Sequence, residues 1–227
     1  MTSRRLADLT WAEVAEVAGA TLLAVPLGAT EQHGPHLPIG TDTLLATALA
    51  ERLAEQRDDV LIAPALAYGA SGEHAAFPGT LSIGTEATTT VLVELVRGAD
   101  AFRGVVLVCG HGGNLDAVRA AVATLTTEGR DVLAWWPSVP GGDAHAGRTE
   151  TSALLALAPD AVHLERAEAG NDRPLVELWP RLREGGVAAV SPNGILGDPT
   201  GASADEGGRI LDALVAQLVT AVGDRWS

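Results

Sequence analysis

The sequence predicts a three-layer α/β/α sandwich around a mainly parallel central sheet. Two observations lead there. Apolar runs of strand length alternate regularly with longer stretches of helix length, which is the signature of successive strand–helix–strand units. The runs are also apolar almost throughout, as strands must be when helices cover both faces of a parallel sheet.

Element by element, Thr10 followed by Glu13 in "LTWAEVAEV" has the spacing of a capping box and predicts a short first helix. Strands are expected at 21–27, 60–66, 104–109 and 131–136, with a further one at 187–191. Helices are expected over 42–56, 86–102 and 114–129, from 149 onward in "TETSALLALAP", and over 203–226. The segments between strands and helices are rich in glycine and proline, which suits tight loops.

No linker or composition shift divides the 227 residues, so 1–227 is read as a single domain. The longest apolar or small stretch, Ala18 to Ala29, falls short of the roughly 18 residues that span a bilayer. Asp8 and Glu13 interrupt any apolar core of an export signal, and Cys109, the single cysteine, has no internal disulfide partner. A cytoplasmic protein is the expectation. With 15 Lys+Arg against 29 Asp+Glu, the formal charge of −14 opposes a broad surface for nucleic acid or anionic lipid.

The residues that carry chemistry fall just after the expected strands, where ligands bind in open α/β sheets. Glu31, His33, His36 and Asp42 follow the first strand; Glu73 and His74 the second; His111 and Asn114 the third; Asp143, His145 and Glu150 the fourth. Charges gathered without partners away from water cost several kcal/mol each, and a divalent cation removes that cost. Carboxylate oxygen and imidazole nitrogen suit Zn²⁺, Fe²⁺ or Mn²⁺, and one cysteine excludes a thiolate zinc site. Three carboxylates and a hydroxide balance two divalent ions, although Arg148 nearby would rebalance a site with one. Simpler roles compete: Asp42 and Asn114 each stand where a helix N-cap is expected, Glu73 and His74 suit pocket lining, and His163 reads as structural.

Four segments, "PLGATEQHGPHLPIGTD", "GASGEHAAFPGTLSIG", "CGHGGN" and "DAHAGRTETS", come in the order and approximate spacing of the creatininase family of metal-dependent amidohydrolases. The chain resembles that family over nearly its whole length. The short chain, "VSPNGILGDPT" and "PALAYGASGEH" look most like the family's peptide-processing branch. The resemblance implies two divalent ions, Zn and/or Fe with Mn as an alternative, held by Glu31, His33, Asp42 as the bridge, His111 and Glu150. It implies His145 as the proton-handling group beside Glu150, while Glu73, His74 and Asn114 are read from their positions as substrate-side residues. It further implies hydrolysis of an unactivated amide, with release of a C-terminal Val-Tyr dipeptide from a small ribosomal precursor peptide, and a ring-like homo-oligomer such as a hexamer.

Two departures argue against creatinine itself as substrate. Gly113 stands where creatinine-hydrolysing members carry a glutamate, so Glu150 must supply the carboxylate, and Gly141 stands where they carry a tryptophan. Cys109 replaces the asparagine usual before "GHGGN". The competing expectations are a small-molecule hydrolase of cyclic amides or formylamino-pyrimidines, and a metal-binding partner protein without turnover.

Overall fold

The computed structural model describes residues 4–226. Among these residues four strands, β1 (Leu22–Leu27), β2 (Val60–Ile62), β3 (Gly104–Cys109) and β4 (Val132–Trp135), form one parallel sheet in the order β2-β1-β3-β4. The chain adds β2 on one side of β1 and then crosses back to add β3 on the other. Loops leaving β1 and β3 therefore diverge at their carboxyl ends, and that divergence opens a crevice at the reversal of strand order.

Among the described residues, seven α-helices accompany the strands: α1 (Trp11–Val17), α2 (Thr41–Gln56), α3 (Gly84–Arg97), α4 (Leu115–Thr127), α5 (Arg148–Leu157), α6 (Leu175–Gly185) and α7 (Ala204–Arg225). Alternate residues of the strands feed two cores. Leu22, Ala24, Val106 and Val108 pack against α2, α5 and α7 through Leu49, Leu53, Ala153, Leu211 and Leu218. Leu23, Val25, Leu27, Val105 and Leu107 pack on the opposite face against α3 and α4 through Leu92, Val96, Val118 and Leu125. Full burial of a leucine contributes about 1.5–3 kcal/mol, so these two apolar layers hold helices to both faces. The three-layer α/β arrangement is the one expected. No helix among the described residues is long and apolar enough to cross a membrane.

Thr10 and Glu13 form the expected capping box of α1, the Glu13 N–H donating to Thr10 Oγ1 and the Thr10 N–H to Glu13 Oε2. Pro26 lies within the central strand β1, yet it breaks no ladder bond. The ladder with β2 ends at Ala24, and beyond it Pro26 only accepts from the Leu66 N–H.

Beyond shifts of one or two residues at element ends, the expected elements change in four places. The second strand stops at Ile62 rather than 66, before Pro64, and pairing resumes only in the isolated bridge Leu27–Leu66. The third helix ends at Arg97 instead of running to 102. The stretch expected as a strand at 187–191 is instead a 3-10 turn, Val187–Ala189. Val187 and Val190 join Leu178, Leu182 and Leu196 in a small separate core, so their apolar character serves packing beneath α6 rather than sheet pairing. The helix α6 itself was not expected from the sequence, because Pro180 lies inside it.

Candidate metal centre

The site forms where the loops after β1, β2, β3 and β4 meet. Asp42 reaches it from the first turn of α2, whose N-cap position is taken by Gly40, so Asp42 is not the helix cap. Two glycines at strand ends let that turn come close. A Cβ on Gly28 would stand 2.5 Å from Thr43 Cα, and one on Gly110 2.4 Å from the Asp42 carbonyl oxygen. Larger residues at either strand end would push Asp42 away from the other loops.

Glu31, His33, Asp42, His74, His111 and His145 are all buried. His33 Nε2 lies 3.0 Å from Asp42 Oδ1, and His111 Nδ1 lies 3.3 Å from Asp42 Oδ2. His111 Nε2 is 3.1 Å from Glu31 Oε2, His74 Nε2 3.2 Å from Glu31 Oε1, and His145 Nδ1 3.8 Å from the same oxygen. Three groups bring their donor atoms within 4.8 Å of one another: Glu31 with His33 and His145, Glu31 with Asp42 and His111, and His33 with Asp42 and Glu150. The expected ligand residues are therefore brought together, with Glu31, His33 and Asp42 each common to two groups.

These close approaches are mostly not hydrogen bonds. Glu31 Oε1 and Oε2 and Asp42 Oδ2 are buried with no hydrogen-bond partner, a costly state for carboxylate oxygens. Around a divalent ion with bonds of about 2.1 Å, neighbouring ligand atoms stand roughly 3.0–3.4 Å apart. His33 Nε2 and His111 Nδ1 stand at that spacing from the two Asp42 oxygens, 3.0 and 3.3 Å.

The imidazole orientations agree. His33 donates from Nδ1 to the Glu31 carbonyl oxygen at 3.2 Å, His111 from Nε2 to that of Ala70 at 3.0 Å, and His145 from Nε2 to that of Gln32 at 2.9 Å. In each ring one N–H is fixed on the backbone and the other nitrogen faces carboxylate oxygen, which is how metal-ligating histidines are oriented. Orphaned oxygens, ligand spacing and ring orientation together fit the residues to divalent cations.

Proton affinities follow from the same packing. Burial works against a charged His33, but the neighbouring carboxylates, Asp42 first, lift it to about 9. His111 faces the same burial penalty and is still held well above its ordinary value by Asp42 and Glu31. Burial by itself would raise Asp42, yet the two imidazoles beside it pull it far below the usual carboxylate range. Burial pushes Glu150 up to about 7, and burial followed by neighbouring imidazoles drives His74 and His145 down to about 3. Without a cation, then, the cluster balances itself with protons on His33 and His111.

Glu150 reaches the cluster from the first turn of α5 and accepts from the Ala146 N–H at 2.6 Å. Ala146 has φ 51°, a left-handed conformation that non-glycine residues rarely hold and that directs its N–H toward Glu150. Glu73, on the loop after β2, brings Oε1 to 3.6 Å from His111 Nε2. Asn114 is fully buried; its Oδ1 accepts from the Ala70 N–H and its Nδ2 donates to the Gly28 carbonyl, so it ties the loops of three strands together. At the N-cap position of α4 its side chain caps nothing.

His36 and Asp143, like Glu73, His74 and Asn114, stay outside the three ligand groups. His36 donates or accepts at Thr151 Oγ1, 2.8 Å away, and Asp143 accepts the Arg148 and Thr149 N–H groups at the start of α5. Arg148 pairs with Glu206, and His163 is half exposed beside Glu165. Gln32 was missed from the sequence, although its side chain touches both His74 and His145. A neutral amide carries no titratable signal, and only its place between Glu31 and His33 could have drawn notice. Beside the His145 loop, a cleft of about 680 Å³ is walled by Gly141–Ala144, Arg148, Arg173 and Leu196.

Known proteins share this fold and these motifs. A sequence profile for creatinine amidohydrolase (creatininase) matches residues 7–222. The chain is 54% identical over 215 residues to "Mycofactocin precursor peptide peptidase" of Mycobacterium tuberculosis (strain ATCC 25618 / H37Rv), covering 90% of this chain and 85% of that protein. A solved structure described as "Creatininase Mn" superposes with a TM-score of 0.83 at 29% identity, covering 100% of each chain. A mutant creatininase of Zn-Zn type gives a TM-score of 0.83 at 28% identity, again covering 100% of each. This chain is a hydrolase by descent and belongs to the creatininase family.

Proposed function

We propose that this protein is a metal-dependent peptidase that removes a C-terminal dipeptide, Val-Tyr, from the mycofactocin precursor peptide. The observation that carries the metal-dependent part is the set of buried Glu31 and Asp42 oxygens without hydrogen-bond partners, ringed by imidazoles whose N–H groups are fixed elsewhere. The peptide part is supported by the 54% identity to a protein of that name.

In this reading Glu31, His33, Asp42, His111 and Glu150 would hold two divalent ions, Zn, Fe or Mn, and Asp42 would be the carboxylate they share. When bound, such ions make hydroxide available near neutral pH and stabilise negative charge developing on the amide oxygen. His145 presents Nδ1 toward Glu31 without a proton, and in this reading it is the group that would hand a proton to the departing amine. Its ring cannot turn away, because Nε2 stays bonded to the Gln32 carbonyl oxygen. Glu73 and His74 border the same space and meet the substrate.

The test is incubation of the purified, metal-loaded protein with precursor peptide, read by mass spectrometry. Loss of the terminal dipeptide supports the peptidase. Turnover of small cyclic amides alone would support a small-molecule amidohydrolase, and bound metal without turnover of either would support a partner protein. An assembly of identical subunits and a cytoplasmic location complete the proposal.

A further inference from the structure

We infer that Gln32 is a positioning residue that presents two imidazoles to Glu31 by opposite ends, His74 as a donor and His145 as an acceptor. This rests on reading the cluster as a hydrolytic centre.

The side-chain amide of Gln32 has one orientation. Its Oε1 accepts from the Gly34 N–H at 2.8 Å, and its Nε2 lies 2.9 Å from the Gly194 carbonyl oxygen, which can only accept. The amide nitrogen has two hydrogens and three neighbours: Gly194 O, His74 Nδ1 at 2.8 Å and His145 Nε2 at 3.1 Å. The backbone decides between the last two. His145 Nε2 lies 2.9 Å from the Gln32 carbonyl oxygen, so it must itself carry a hydrogen and cannot accept one. The two amide hydrogens therefore go to Gly194 O and His74 Nδ1.

Both rings are thereby fixed in the same tautomer, protonated at Nε2, but they face Glu31 by different atoms. His74 turns its Nε2–H to within 3.2 Å of Glu31 Oε1, off the line of a hydrogen bond, and that N–H stays available to an incoming oxygen. His145 turns its bare Nδ1 toward the same oxygen at 3.8 Å. One residue, through its side chain and its own carbonyl, thus sets a donor and an acceptor on either side of one carboxylate.

Imidazole nitrogen shifts in the ¹⁵N-histidine-labelled, zinc-loaded protein test this directly. The His74 signal, assigned by its loss in His74→Gln, is expected to show Nε2 protonated and Nδ1 bare. Gln32→Met, of similar length but with no donor, is expected to release the His74 tautomer, leave that of His145 unchanged, retain zinc, and lower kcat at least tenfold with a smaller change in KM. Gln32→Glu is expected to move the His74 proton to Nδ1. A wild-type His74 protonated at Nδ1 overturns the inference without recourse to any variant, as does Gln32→Met with an unchanged His74 tautomer. Because the tautomers are read in the protein without peptide, their failure is separate from failure of the peptidase assay.

Discussion

Glu73 rests its carboxylate over the bare Cα of Gly113: a Cβ built there would stand 2.2 Å from Glu73 Oε1. The same Cβ would lie 2.4 Å from His111 Nε2 and 2.5 Å from the Ala70 carbonyl oxygen. Gly113 therefore makes room both for a carboxylate from another loop and for the bond that orients His111. Gly113→Ala is expected to displace Glu73, tilt the His111 ring and weaken metal binding roughly 10- to 100-fold. Competition against a chelator of known affinity measures it, and unchanged affinity would refute the steric argument.

Asp42 faces His33 by one oxygen and His111 by the other. Asp42→Asn and Glu31→Gln are expected to lose bound metal and peptide cleavage together. His145→Ala is expected to keep its metal and lose about 10²- to 10⁴-fold in rate. Elemental analysis alongside the cleavage assay separates the two classes, and an Asp42→Asn protein with full metal content and full rate would rule out a shared carboxylate.

Removing the metal should lower stability, since both Glu31 oxygens and Asp42 Oδ2 are then left buried without a hydrogen-bond partner. Metal at 1,000 times its dissociation constant stabilises a folded chain by about 4 kcal/mol. The chelated protein is expected to melt several degrees lower and to recover on adding zinc or manganese, as followed by scanning calorimetry.

Metal uptake should also release protons. His33, raised to about 9, carries a proton at neutral pH in the metal-free protein, and Glu150, raised to about 7, is partly protonated there. Both protons compete with the cation, so affinity falls as pH is lowered from about 9 to about 6, by about tenfold per unit for each proton displaced. Titration calorimetry in buffers of different ionisation enthalpy counts the protons, and pH-independent binding would contradict this.

Neighbouring glycines of α7 should respond in opposite directions. A Cβ on Gly207 would meet the Ser152 carbonyl oxygen of α5 at 1.8 Å, whereas one on Gly208 meets nothing within 4 Å. Gly207→Ala is expected to cost about 1–3 kcal/mol by overpacking the helix crossing, and Gly208→Ala to add about 0.5–1 kcal/mol. Denaturant unfolding of the two proteins provides the comparison.

Most of this architecture could be read from the residues. Strand ends were marked because apolar runs such as 104–109 give way abruptly to His111 and Asn114, and parallel topology carries such residues to one edge. What escaped depends on contacts between distant segments. Pro180 hides α6, whose existence owes to Leu178 and Leu182 packing on Val187, Val190 and Leu196. Val187–Ala189 has strand-like composition, yet it forms a 3-10 turn and Val187 packs in the small core beneath α6. Glu73 could not be seen approaching His111, because that contact requires the bare backbone at Gly113 from a different loop. Gln32 gave no charge to notice, and its importance appears only when His74 and His145 are seen to converge on it.

An anomalous-scattering map of crystals grown from protein never exposed to chelator addresses the metal centre most directly. The account predicts two peaks, one among Glu31, Asp42 and His111 and one among His33, Asp42 and Glu150, with Asp42 bonded to both. A fully active crystal with no peak touching Asp42 would contradict it.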